Sequence, residues 1–492
     1  MINAEITLPT MRWTVILRYI GTSLLMLAFL MAVSGLVAAM NGGDRSMVPL
    51  FYSAGVTFIT GAYPLIFVRQ RGQIETREGY YIVVLSWITC CLFGMLPYLF
   101  YGDTFSFTDA LFESVSGFTT TGASILDDIE ALPMGLHFWR MSTAWVGGIG
   151  IVTLFSMMIS KKFDRNSVLS GTELSGLARS QSSSTSSSGF ARKMIVIYVG
   201  MTVVCSILLW ITGLEWFDAV TCAMSTCSTC GFCIRNASIA AYDNVAAEIV
   251  MMVFMVTCGI SFVHIYNFLR NRRNNRLIKN EIIKTYLTII AVATALITAD
   301  LVVSRTDEGF WQSLRESAFQ VCSLITTTGF ATADTDTWPA LSILILVTIS
   351  IFCGCSGSTA GGFKMDRLVI TFKNCVNEIH LLRRPNEVRS VKLNGRILHG
   401  HVSRRVFVFL VLYVALIAVG SMVNVTFGAD MRTGLTAAVA CAGNVGPGFG
   451  LVGSVSNYAA LPDIIKYNSM ALMILGRLEI FPVLYLLGFR MR

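Results

Sequence analysis

Thr119-Thr120-Thr121-Gly122, Ser228-Thr229-Cys230-Gly231, Thr326-Thr327-Thr328-Gly329 and Gly443-Asn444-Val445-Gly446 are four versions of one short phrase. Each follows a mildly apolar segment of helix length, and each sits between two long hydrophobic runs. The glycines are 109, 98 and 117 residues apart, so the repeating unit is about a quarter of the 492-residue chain. One T-T-T-G carries no information. Four in register, each in the same hydropathy context, describe four quasi-equivalent loops around a common pore.

The surrounding chain is too apolar for an ordinary soluble protein. It is 54% hydrophobic and 13% charged, with a mean hydropathy of +0.65. The hydrophobic runs repeatedly reach the ~20 residues needed to cross a bilayer. They predict ten spanning helices, at about 14–40, 48–68, 80–101, 137–160, 191–213, 243–269, 281–303, 338–382, 405–428 and 466–489. The eighth is too long for one uninterrupted span and contains a glycine-rich break. Four segments, at about 107–118, 216–227, 312–325 and 431–442, are too short to cross and read as re-entrant half-helices.

The charges give an orientation. With the N-terminus inside, seven of the 37 Lys and Arg fall outside: Arg45, Arg140, Arg235, Arg305, Arg315, Arg432 and Lys466. Arg477 falls within a span, and the remaining 29 lie inside, as the positive-inside rule requires. The net charge of +8 is thereby explained by membrane orientation, with no need for a nucleic-acid partner. The first apolar run exceeds a signal-peptide core in length and is followed directly by another, so it reads as an uncleaved span.

The predicted fold is an all-α polytopic membrane protein. Four pseudo-repeats of helix, half-helix, filter loop and helix surround a central pore, and two extra helices precede them. The divisions are 1–79 for that first pair and 80–160 for repeat one. A Ser-rich linker at 161–189 follows, with repeat two at 190–270 and repeat three at 280–385. An inner loop at 386–403 leads to repeat four at 404–492. Thirteen residues before each glycine stand Asp109, Asp218, Glu316 and Thr433, suited to capping the first turn of each half-helix.

The chemistry of such a ring favours a monovalent cation. Glycine lets successive carbonyls face inward, and carbonyls from four loops can replace an ion's water shell. The C-terminal, partly negative end of each half-helix also points at the ring. No ring of carboxylates accompanies the glycines, which argues against a divalent ion. The expected filter residues are Thr120, Thr121 and Gly122; Thr229, Cys230 and Gly231; Thr327, Thr328 and Gly329; and Asn444, Val445 and Gly446.

Several phrases carry a family resemblance. They are Phe112-Glu113-Ser114 with Thr119–Ala123, Asn444–Gly448, Gly354–Gly362 and Gly476–Phe481. On them the chain resembles the membrane subunit of Trk-type potassium transporters, the TrkH family, within the group that includes the Ktr and HKT proteins. The resemblance covers essentially the whole chain. It implies potassium ions in the filter, a homodimer in the lipid of the bacterial inner membrane, and an N-terminus in the cytoplasm. It also implies a cytosolic TrkA-like ring whose own ATP, ADP or NAD(H) controls opening. Glycine at all four positions, Gly122 included, favours potassium over sodium by the same resemblance; a pore admitting both remains the alternative.

Two features lie below the filter. The segment 353–362 breaks a span in one repeat only, and unwound backbone at that depth must line a cavity or be enclosed by protein. With the resemblance it reads as a gating loop, with Gly354, Gly357, Gly361 and Gly362 as its flexible points. Arg477, costly in a span by roughly 2.5–3.5 kcal/mol, reads as a positive side chain near the pore that limits flow, or as half of an ion pair with a distant carboxylate. A remote alternative is a metal or redox protein using Cys227, Cys230 and Cys233, whose C-x-x-C-x-x-C spacing suits iron–sulfur or zinc ligation. That run overlays the second filter phrase, and free thiols are expected. The histidines show no paired spacing, no nucleotide loop or nucleophile motif is present, and an enzyme is not expected.

Overall fold

The computed structural model describes residues 11–68, 76–102, 105–159, 187–270, 279–304, 309–387, 390–398 and 400–486. The Ser-rich linker lies outside them except for 187–189. Helices Trp13–Met40 and Met47–Phe67 form the extra pair. They cross where glycine meets glycine: a Cβ on Gly21 would lie 2.7 Å from the Gly61 carbonyl, the close backbone approach that small residues permit in membranes. Leu27, Met31 and Leu50 of this pair share one apolar cluster with Phe112, Val115 and Phe118 of the first repeat.

Each quarter then repeats helix, half-helix, glycine phrase, helix. The half-helices are Phe107–Phe118, Trp216–Ser228, Phe310–Ile325 and Met431–Gly443, within two residues of expectation. Among the described residues six helices are each long and apolar enough to cross a membrane. The helices Val245–Cys258 and Phe262–Arg270 are together long and apolar enough for a further crossing, but are bent by 99° at the break between them. The outward faces of the six carry Phe29, Ile59, Trp210 and Val303, more than half exposed and so fit for lipid. Two minimal strand pairs are the only β-structure among the described residues, Phe352–Cys353 beside Phe363–Lys364 and Lys392–Leu393 beside Arg396–Ile397.

Three expectations are corrected. The break in the second helix of a repeat is not confined to repeat three. Repeat two breaks at Gly259–Ser261 and repeat four at Leu478–Ile480, between Asp463–Arg477 and Phe481–Leu486. The second correction concerns capping. Ser106 and Asp430 accept the free N–H groups of half-helices one and four. Asp109 shares the first cap, its carboxylate accepting from Ser106 Oγ at 2.7 Å, and also pairs with Lys466 at 2.8 Å; Asp218 instead pairs with Arg235 at 3.3 Å, and Thr433 accepts from the Leu451 N–H. The third is that Arg477 is not alone among basic side chains buried in an apolar helix: Arg140, counted on the outer side, is 1% exposed, inside the helix Met134–Ile159.

Adjacent quarters are stitched together beyond the glycine phrases. Asn236 donates to Asp128 between quarters one and two, and the Ile239 N–H to the Ala331 carbonyl between two and three. Arg432 pairs with Asp336 at 2.7 Å between three and four, and the Tyr458 N–H reaches the Ser124 carbonyl at 2.8 Å to close the circle.

Candidate functional site: a closed ring of carbonyls and a tethered loop

All four half-helices end in the same hydrogen-bonded cap. Thr121, Cys230, Thr328 and Val445 each donate N–H to a carbonyl five residues back, at 2.8–3.1 Å, on Ser116, Ser225, Ser323 and Ala440. The preceding residues, Thr120, Thr229, Thr327 and Asn444, donate three residues back and stand at φ +51°, +54°, +57° and +54°. This is a Schellman cap, whose left-handed position normally holds glycine. A β-branched threonine there is a strained exception costing about 1–3 kcal/mol, and three of the four quarters contain it. Strain repeated at equivalent points of one site is a pointer to function.

The glycines close the ring. A Cβ on Gly122 would lie 1.9 Å from the Cys230 carbonyl oxygen, and one on Gly231 would lie 1.9 Å from that of Thr328. For Gly329 the neighbour is the Val445 carbonyl at 2.1 Å, and for Gly446 the Thr121 carbonyl at 2.4 Å. The order runs one, two, three, four and back to one. Each quarter's bare Cα is therefore seated against the next quarter's carbonyl. All the expected filter residues that carry a side chain are fully buried, yet Thr120 Oγ1 and Asn444 Oδ1 have no hydrogen-bond partner among the described residues. The symmetry is imperfect. Thr119 with Thr121 and Thr326 with Thr328 pair their hydroxyls at 2.8 and 2.7 Å, whereas Asn444 Nδ2 reaches across to Thr121 Oγ1 at 3.0 Å.

Beneath the ring the segment 353–362 touches three quarters directly. The Gly361 N–H donates to Thr327 Oγ1 at 2.8 Å, and a Cβ there would lie 2.4 Å from the Gly443 carbonyl. The Cys355 N–H donates to the Gly259 carbonyl, and Gly357, at φ +78°, offers its carbonyl to the Phe262 N–H. The repeat-two break thus supplies two of the loop's backbone partners, and each stretch of non-helical backbone is enclosed in part by the other. Gly354 packs on Gly259, and Gly362 packs on the Cys353 sulfur.

Arg477 is 2% exposed and forms no ion pair among the described residues. Nη1 donates to the Thr359 carbonyl at 2.8 Å and Nη2 to the Gly147 carbonyl at 3.2 Å. Arg477 thereby ties the loop to the first quarter, so that 353–362 is held by all four. Glu479, at φ +55°, pairs with Arg367 at 2.6 Å and leaves Arg477 alone. The cysteine run does not converge: Cys227 and Cys233 pack in one apolar cluster and Cys230 in another. No described trio of His, Cys, Asp or Glu is gathered for a metal ion, and all 13 cysteines are free thiols.

The segment leaving the first phrase carries Asp127, Asp128 and Glu130. The hydrogen bond from Asn236 holds the Asp128 carboxyl below the usual carboxylate range.

These features define a class: a multispan membrane protein with four pseudo-equivalent re-entrant loops closed into one ring. Residues 50–490 match the TrkH family of cation transport proteins, and this chain belongs to that family. It is 31% identical to the Trk system potassium uptake protein TrkH of Halomonas elongata, over 96% of this chain and 97% of that one. It is 29% identical to the protein of the same name from Escherichia coli K12, over 97% and 98%. The crystal structure of the potassium transporter TrkH from Vibrio parahaemolyticus superposes with a TM-score of 0.87 at 27% identity, covering 97% of this chain and 99% of that one. The family is one of transporters, not enzymes.

Proposed function

We propose that this chain carries potassium across the bacterial inner membrane through its ring of four glycine phrases. The observation that carries the reading is the cyclic seating of the Thr121, Cys230, Thr328 and Val445 carbonyls against Gly446, Gly122, Gly231 and Gly329. Such a ring offers a dehydrated monovalent cation oxygen ligands on every side, at the negative ends of four helix dipoles. The chemistry accords with the names of the relatives, which are potassium uptake proteins. Purified protein in liposomes should take up rubidium, with potassium competing far better than sodium. Equal competition by sodium would support the less selective pore, and no uptake would sink the reading.

In this reading 353–362 is the gate and Arg477 its latch. Gly361 lies against the Gly443 carbonyl with no room for a side chain, so Gly361→Val should displace the loop. The expected outcome is a folded protein whose rubidium flux differs from wild type by at least about tenfold, since the clash costs on the order of 1–3 kcal/mol. Unchanged flux would remove the loop from the gate. The relatives belong to a Trk system, and the basic residues Arg383, Arg384, Lys392 and Arg396 suit docking of a cytosolic ring that binds ATP, ADP or NAD(H). A homodimer with a cytoplasmic N-terminus completes the assembly, supported by the charge asymmetry and the family resemblance.

A further inference from the structure

Arg140 and Glu113 are the most deeply buried ion pair among the described residues, at 1% and 0% side-chain exposure. Arg140 Nε donates to Glu113 Oε1, and Nη1 donates to the Cys233 carbonyl at 2.8 Å. The guanidinium also lies 3.8 Å from the centre of the Phe232 ring. Glu113 in turn accepts from Ser124 Oγ and the Ile125 N–H, each at 3.3 Å. One guanidinium therefore joins the first half-helix, the segment leaving Gly122, and the two residues that follow Gly231.

No other quarter has this pair at the equivalent positions; the Arg315–Glu248 pair that joins quarters two and three stands elsewhere, with its arginine 32% exposed. Nine residues before the glycine, where quarter one has Glu113, the others have Cys222, Gln320 and Ala437. Eighteen after it, where Arg140 stands, they have Ile249, Val347 and Ile464. The device holds the one quarter whose phrase carries Cys230, and it acts on the backbone immediately beyond Gly231. A buried ion pair is a poor way to gain stability, because well-packed apolar residues do as well or better. A planar fork with fixed donor directions is a good way to fix geometry.

We propose that Arg140 is a positioning residue for ion selection. It holds the Phe232–Cys233 backbone at a set distance from the first half-helix, and so fixes how closely the carbonyls of quarters one and two approach the ion. It does not touch the ion. The proposal rests on reading the ring as the ion filter.

The test uses the full-length protein in liposomes, with rubidium uptake competed by potassium and by sodium and normalised to folded protein. Arg140→Lys keeps a positive charge beside Glu113, but a single ammonium lacks the fork that bridges both partners. Uptake should persist while the preference for potassium over sodium falls about tenfold, the scale of one lost charge-assisted hydrogen bond. A merely structural arginine would lower the yield of folded protein and leave that preference untouched. Should Arg140→Lys fail to fold, Glu113→Leu combined with Arg140→Met replaces the pair by an apolar one, with the same loss expected. Wild-type preference in either folded variant overturns the proposal. Wild-type protein with no preference among the ions contradicts the filter reading instead, a separate result.

Discussion

Alanine at Gly122 or Gly231 should cut potassium flux on the order of a hundredfold, the heaviest loss from any single methyl group in the ring. Each new Cβ would lie 1.9 Å from a neighbouring carbonyl oxygen, far inside contact distance. The backbone at φ +80° and +85° disfavours any side chain as well. Relief requires the carbonyl of the next quarter to turn away, which removes a ligand from the ion. The four positions should also rank. Gly329, at 2.1 Å from the Val445 carbonyl, comes next, and Gly446, at 2.4 Å from that of Thr121, should be damaged least. Rubidium uptake by the four alanine variants, normalised to folded protein, measures the series. Wild-type flux in Gly122→Ala would contradict the ring, and Gly446→Ala as the worst variant would contradict the ranking.

Arg477→Ala should raise flux through the protein without its cytosolic partner by at least about tenfold. The change removes two charge-assisted hydrogen bonds, each worth about 1.5–3 kcal/mol, that tie the Thr359 and Gly147 carbonyls together. The loop then loses its hold on the first quarter, and a positive charge leaves the cation path. Two further variants separate these effects. Arg477→Met keeps bulk without charge, and Arg477→Lys keeps charge without the fork. A shut Lys variant with a leaking Met variant assigns the control to charge, whereas leakage in both assigns it to the bridge. Folded Arg477→Ala with unchanged flux would contradict both.

Much of this was legible in the sequence because it follows from local rules. Length and hydropathy separate spans from half-helices, and the glycine phrases mark the Schellman caps within a residue or two. The spacing of the four glycines already implied the ring, since a unit repeated four times in one context has few ways to close. What escaped was non-local or lacked a local marker. The breaks at Gly259–Ser261 and Leu478–Ile480 contain a single glycine and no proline between them. They are stabilised by partners distant in sequence, Cys355 and Gly357 for the first and Arg367 for the second.

The burial of Arg140 has a signal in the sequence. It stands fourth in the expected span 137–160, and Glu113 sits in the apolar half-helix that precedes it. An intramembrane ionisable residue is a functional hypothesis with a partner to be named, and only the fold brings these two together. The cysteine run shows the limit of spacing as a signal. Its spacing suits a metal site, but one of its thiols packs apart from the other two. Asn444 was read as a backbone ligand alone. Its side chain also bridges to Thr121 and to the Met473 carbonyl, a contact that links quarters four and one.

The central claim, that the four glycine phrases form one ion-binding ring, is tested most directly by locating the ion. Diffraction from crystals grown with rubidium or thallium, both anomalous scatterers, should give peaks on the axis enclosed by the carbonyls of Thr121, Cys230, Thr328 and Val445. Those peaks should fall when sodium replaces the heavy ion. An empty ring, or anomalous density only beside the cysteines, would contradict the account.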